Sequence, residues 1–281
     1  MKPRSRAKRI FVNRLVMAIS AAVSGLFLFI LGWVLYEVIM RGGATLNFSF
    51  FTKLPTPPGV SGGGLANAII GTLMMTVLAI AIGVPIGLLA GIYLSEFGQE
   101  GRFANVVRFM CNMLMGTPSI IIGMFVYALL VVPAHRFSGY AGAVALAILM
   151  LPVVTKTTED ILKLVPNTLR ESALALAAPR WKVTLGVVFR AGKSGLLTGI
   201  LLAIARISGE TAPLLFTALN SPYWPRRFQE PTANLTVTIF NYAMSPYADW
   251  QQKAWGASLL ITVGVLLLTV IARSALAERR E

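Results

Sequence analysis

TKTTEDILKLVPNTLRESALALAAPRWKVTLGVVFRAGK (residues 155–193) decides the reading of this chain. From Lys156 to Lys193 it holds seven Lys/Arg and three Asp/Glu, and it lies between long apolar runs. The spacing of Thr168 and Glu171 matches a capping box: the threonine oxygen accepts from the third amide while the glutamate reaches back to the cap amide. This predicts a helix from Leu169 to near Ala178, stopped by Pro179. Leu169, Ala173 and Leu176 fall on one stripe of that helix, a surface suited to a partner. About ten residues rising 1.5 Å each reach roughly 15 Å, too short for a bilayer. The helix is therefore expected to lie outside the membrane.

Working outward, the runs on either side are membrane-like. The chain has 281 residues, 56% hydrophobic and 13% charged, with a mean hydropathy of +0.72. Charge-free runs over Leu15–Tyr36, Leu54–Ser95, Phe109–Ala134, Phe137–Thr155 and Ala254–Ala272 each reach or exceed the length that crosses hydrocarbon. A sixth span, about Ser194–Asn220, is interrupted by Arg206 and Glu210. Six spans leave no room for a soluble catalytic domain. The first apolar run is long enough to span and lacks a small-residue cleavage site, so it reads as a span and not as a cleaved leader.

A formal charge of +14 raises nucleic acid as a partner, but the distribution of the charge excludes it. With the N-terminus inside, the inner segments carry six Lys/Arg (the tail), then two, seven and three, against six on the outside, and Arg206 lies within a span. That asymmetry is the positive-inside pattern and places both termini in the cytoplasm. Residues 1–14 read as a mobile basic tail against anionic lipid heads. Cys111 is the one cysteine, so no internal disulfide forms.

Further along, residues 41–65 carry Pro55, Pro57, Pro58 and three consecutive glycines, and read as an external linker. Gly71, Gly83, Gly87 and Gly91 favour close helix approach, and Pro85 predicts a kink. Glu96, Glu100 and Arg102 mark a short inner loop. Gly116-Thr117-Pro118-Ser119 interrupts the third span, either as a proline kink or as a functional break. The outer segment, about 220–254, is dense in aromatics that serve as an interface belt or face a partner. Ser245-Pro246 fits an N-cap followed by proline at the first helical position.

Several chemistries are excluded. Gly186…Gly192-Lys193-Ser194 approaches a phosphate-binding loop, but five residues separate the glycines where four are needed. There is no HExxH and no GxSxG, and the single histidine, His135, sits in a short outer turn. No catalytic residues and no metal ligands are expected. Arg206 and Glu210, four apart, are expected to share a helix face and to pair within the bundle, either along a substrate path or as a structural ion pair.

Glu171-Ser-Ala-Leu-Ala-Leu-Ala177 resembles the EAA loop of ABC importer permeases, the coupling helix that docks into the ATPase. It departs from that pattern at Ala177, usually glycine, and at Phe189-Arg190, usually Leu-Pro. Around it, Ala178-Pro-Arg-Trp-Lys182, Ala205-Arg-Ile-Ser-Gly-Glu-Thr-Ala-Pro-Leu-Leu215, Asn234-Leu235, Ile239-Phe-Asn-Tyr-Ala243, Pro118-Ser-Ile-Ile-Ile-Gly123 and Gly91-Ile-Tyr-Leu-Ser-Glu96 resemble the phosphate-specific permeases of the PstA type. The resemblance covers about residues 65–272.

It implies an all-α, polytopic fold of six transmembrane helices, the type I ABC importer permease fold, with a coupling loop at about 156–193 within a membrane domain of 15–281. It also implies a subunit of the bacterial inner membrane. The expected partners are a second related permease (PstC type), an ATPase dimer (PstB type) and a periplasmic phosphate-binding protein, besides the bilayer. No cofactor is expected on this chain, since ATP is bound by the partner subunit. Leu169, Glu171, Ala173, Leu176 and Ala177 are the expected docking residues, and Arg206 and Glu210 the expected path residues. Other readings are a sulfate or molybdate importer and a secondary transporter or channel.

Overall fold

A computed structural model describes residues 6–98 and 101–277. Among them there is no strand, only an isolated bridge between Pro55 and Gly63. The chain runs through α1 (Arg6–Gly43), α2 (Phe48–Thr52), α3 (Ala66–Ile92), α4 (Arg102–Gly116), α5 (Ser119–Val126), α6 (Val132–Ala134), α7 (Gly139–Lys163), α8 (Asn167–Ala175), α9 (Arg180–Val183), α10 (Phe189–Ser208), α11 (Ala212–Thr217), α12 (Leu235–Ala243) and α13 (Ala248–Ala277). Wider helical turns at Tyr93–Phe97, Tyr127–Val131 and Thr184–Val188 extend α3, join α5 to α6 and join α9 to α10.

Among the described residues five helices are long and apolar enough to cross a bilayer, and the count is six when the bent pair of α4 and the run Ser119–Ala134 is taken as one span. The expected count of six agrees with the bent pair taken as one span, with shifted ends. The second starts at Ala66, directly after the expected external linker of residues 41–65, so the charge-free residues 54–65 belong to that loop and not to the span. That loop is folded rather than a free linker. Asn47 caps α2 by accepting from the Phe50 amide at 2.9 Å, Phe50 is buried, and Lys253 donates to Thr56 Oγ1 (3.2 Å) and to the Gly62 carbonyl. The fifth span is Arg180–Ser208 and not 194–220. Gly186 and Gly192 lie within that continuous helical run, so no phosphate-binding loop exists there. Residues 6–14 of the expected tail are the first turns of α1; Lys2 and Arg4 lie outside the described residues, as does Glu100. The last helix begins at Ala248, two residues beyond Pro246, although Ser245 Oγ still accepts from the Tyr247 amide at 3.2 Å.

The centre of the bundle is α3 against α7. Gly71, Met75, Ala79, Gly83, Gly87 and Gly91 recur every four residues and form the buried face of α3. Four-residue spacing puts them in one row, and small side chains let backbones approach. A β-carbon on Gly87 would lie 2.8 Å from Val154 Cβ, and one on Gly91 would lie 2.5 Å from Thr158 Cβ. α3 continues through Pro85 as one helix. α7 starts under a serine cap, Ser138 Oγ accepting from the Ala141 amide at 3.1 Å, and is the most buried of the spans. α1, by contrast, is exposed along its apolar length; near its end Arg41 stacks over Trp255 at 5.2 Å.

Candidate functional site

Two regions carry functional geometry: the end of the bundle holding α8, and the depth at which two helices break.

At the first, Pro166 sets the start of α8. Its fixed φ, −58° here, suits the entry to a helix, so the helix begins at Asn167, two residues before the expected start. Thr168 is thereby inside the helix and cannot cap it; its carbonyl instead accepts from Ser172 Oγ at 2.8 Å. The predicted capping box is absent, and Glu171 is exposed. The helix also stops earlier, at Ala175. Ala177 takes the left-handed conformation (φ 57°), and its amide donates to the Leu174 carbonyl at 2.9 Å. A left-handed residue after the last turn is the usual end of a helix, and it favours glycine. Ala177 occupies the position where the resembled pattern has glycine.

The expected apolar stripe is divided. Ala173 turns toward the body and packs against the cluster of Leu162, Val165, Val183, Val188 and Leu196. Leu169 is exposed, and Leu176, at the helix end, is 84% exposed. Leu164, Leu174, Trp181 and Leu185 add further exposed apolar surface nearby.

Charged residues that sequence reasoning missed frame this surface. Arg170 reaches Glu96, 74 residues away, with Nη2 to Oε1 at 2.8 Å and Nε to Oε2 at 3.2 Å. Glu159 is fully buried and accepts from Arg108 Nε at 2.7 Å and Lys163 Nζ at 2.6 Å. The i,i+4 pair of Glu159 and Lys163 is visible in sequence; the partners Glu96 and Arg108 are not, because they arrive from other helices. Between these groups lies a cleft of about 450 Å³ lined by Ser95, Glu96, Arg108, Lys163, Arg170 and Arg180. No cluster of metal-binding side chains occurs among the described residues.

In the second region, α4 and α5 meet at Thr117-Pro118 with a bend of 107°, far beyond a proline kink. α10 ends at Ser208. Gly209, a poor helix former, follows at the helix end, and Pro213 sits in the first turn of α11, where its missing amide is tolerated. Glu210 therefore lies beyond the helix, held through its backbone; its amide donates to the Ile207 carbonyl (3.2 Å) and its carbonyl accepts from Thr236 Oγ1 (2.8 Å). Arg206, on the last turn, is exposed. The expected shared helix face and Arg206–Glu210 ion pair are not formed. The two breaks touch the same core, where Leu114, Ile122, Ile207 and Leu214 belong to one packed cluster. α5 lies close on α11: a β-carbon on Gly123 would sit 2.5 Å from Pro213 Cα. Irregular backbone at membrane depth is tolerated where protein buries it or it lines a cavity.

The outer aromatics also divide. Tyr223, Trp224, Phe240 and Tyr247 are exposed, while Tyr242 stacks on Trp250 at 4.3 Å. Burial of Tyr242, outside the spans, pushes its phenol up to about 12, so it stays neutral.

Residues 83–277 match the family described as binding-protein-dependent transport system inner membrane component. The phosphate transport system permease protein PstA of Yersinia pestis is 48% identical over 268 residues, covering 95% of this chain and 91% of that one. The chain belongs to the PstA family of transport permeases. The probable PstA permease of Methanocaldococcus jannaschii is 39% identical, covering 78% of each chain.

Solved structures show the same fold at low identity. A chain of the bacterial alginate ABC transporter complex gives a TM-score of 0.67 at 15% identity, covering 96% of each chain. A chain of the inward-facing MetNI methionine transporter gives 0.61 at 18%, covering 76% of this permease and 94% of that chain. The fold is that of the type I ABC importer permeases, as the sequence resemblance implied.

Proposed function

We propose that this permease is the membrane-spanning subunit of an ATP-driven phosphate importer, forming half of the translocation path and docking its ATPase through α8. The 48% identity to a phosphate permease across 95% of the chain carries the substrate assignment against sulfate or molybdate. The docking role is supported by exposed Leu176, Leu169 and Glu171 on and beside a short helix that lies outside the spans. ATP binding and hydrolysis belong to a separate ATPase dimer of PstB type, and this chain carries no cofactor. The remaining partners are a PstC-type permease and a periplasmic phosphate-binding protein. The protein sits in a bacterial inner membrane with both termini in the cytoplasm, the orientation that the basic residues favour.

Arg206 supplies positive charge to the anion path, and Glu210 restrains tight binding there. Both stand at the α10–α11 break, and half-helix ends at membrane depth are where transporters place their substrates. With no pair between them, a purely structural role loses its support.

Uptake of labelled phosphate into vesicles carrying the full complex tests this reading. ATP-dependent uptake of phosphate in preference to sulfate and molybdate is expected, abolished by Arg206→Met in an assembled complex and partly kept by Arg206→Lys. Uptake without an ATPase, preference for another oxyanion, or normal uptake by Arg206→Met refutes the corresponding part. Accessibility of Ser172→Cys from the inside and Ser61→Cys from the outside tests the orientation, against a native Cys111 that is buried.

A further inference from the structure

We propose that Arg170 is the positioning residue that couples the docking helix to the spans: a joint through which movement of α8 is passed to α3, α7 and α4. This rests on the reading of the chain as an ATP-driven permease.

α8 needs such a joint. It has nine residues, none of them buried, and it is flanked by Pro166 and Pro179. Ala173 is its apolar contact with the body, a single methyl group against the Leu162–Val165 cluster. A helix held in that way would swivel on its linkers when pushed. A guanidinium has five N–H donors in a rigid plane, and all five of those on Arg170 are used. Two go to Glu96, as given above. The others go to the Leu162 carbonyl (2.7 Å), the Val165 carbonyl and Asn167 Oδ1 (3.2 Å). Lysine in that place supplies charge but not the fork. The acceptors belong to three separate pieces of chain: the last turn extending α3, the end of α7 and its exit, and the first turn of α8. Glu96 is itself fixed, its Oε1 accepting from Ser95 Oγ at 2.9 Å.

What Arg170 grips is already a single block. The glycine row of α3 lies directly on α7, so the two cannot slide without steric collision. Arg108 then ties α4 to both, donating to Glu159 on α7 (2.7 Å) and to the Leu94 carbonyl at the end of α3 (3.0 Å). α4 leads to the break at Thr117-Pro118. Two sets of polar contacts, joined by the turn that carries both Leu94 and Glu96, therefore lead from the docking helix to the broken span, and they start at Arg170.

The test uses the whole complex in vesicles and reads phosphate taken up per ATP hydrolysed, which a merely structural role would leave unchanged per assembled complex. For Arg170→Met and for Glu96→Gln, we expect assembly and stimulated hydrolysis to persist. The uptake-to-hydrolysis ratio should fall about tenfold, within the usual span of coupling between sites. Arg170→Lys should recover a minor part of the ratio. Glu96→Gln keeps the Arg170 contacts to Leu162, Val165 and Asn167, so it reports the bridge to α3 even where Arg170→Met fails to assemble. A wild-type ratio in Glu96→Gln, or uptake and hydrolysis falling in proportion, overturns the inference. If the wild-type complex itself shows no ATP-dependent phosphate uptake, the importer reading fails and not the joint.

Discussion

Glu159→Gln removes a buried charge while keeping its shape, and the surrounding cations determine the cost. Glu159 is fully buried, and three cations face it: Arg108 at 2.7 Å, Lys163 at 2.6 Å and Lys156 at 3.5 Å. The lysines are 50% and 39% exposed, respectively, so each can turn to water, with a loss of about 0–1 kcal/mol. Arg108 is 22% exposed and stays where it is, tied also to the Leu94 carbonyl and Asn105 Oδ1. Removing one partner of a buried pair costs about 3–5 kcal/mol. The residual exposure and remaining acceptors of Arg108 bring the expected total to about 2–3 kcal/mol. The measurement is reversible unfolding of the purified permease in mixed micelles, with Arg108→Met and the double variant completing a cycle. A coupling of at least about 1 kcal/mol is expected, with the double variant more stable than additivity predicts. Additivity within about 0.5 kcal/mol, or a Glu159→Gln loss below that figure, refutes the account.

Gly71→Ala should destabilise the bundle by about 1–3 kcal/mol. Its β-carbon would meet the Ala233 carbonyl oxygen, a backbone atom, at 2.0 Å, and the better helix propensity cannot offset that; unchanged unfolding refutes it. Ala177→Gly should stabilise the α8 terminus by about 1 kcal/mol in the same assay, since φ is 57° there; a loss of stability counts against the left-handed turn. Leu176→Glu, altering an exposed residue, should leave insertion and stability as in the native chain but abolish co-purification of the ATPase; normal co-purification removes Leu176 from the interface.

Local pattern was legible wherever one physical constraint acts along the chain. Hydrocarbon thickness demands about twenty apolar residues per span, so six spans could be counted, including the one broken at Thr117-Pro118. The row of Gly83, Gly87 and Gly91 announced close packing, and Pro179 marked the end of a short helix outside the spans. The errors are local too. The capping box at Thr168 and Glu171 was outweighed by Pro166, and the proposed face shared by Arg206 and Glu210 overlooked Gly209, at which α10 ends.

Contacts between helices were decided only by the tertiary structure. Nothing along the chain says that the glycine row of α3 meets α7 and not another helix. Once it does, Glu96 and Leu94 at the end of α3 come within reach of Arg170 and Arg108, 74 and 14 residues away in sequence. Ion-pair partners at such separations have no periodicity to betray them, because a charge is recruited by proximity, and proximity here follows from which small-residue faces fit together.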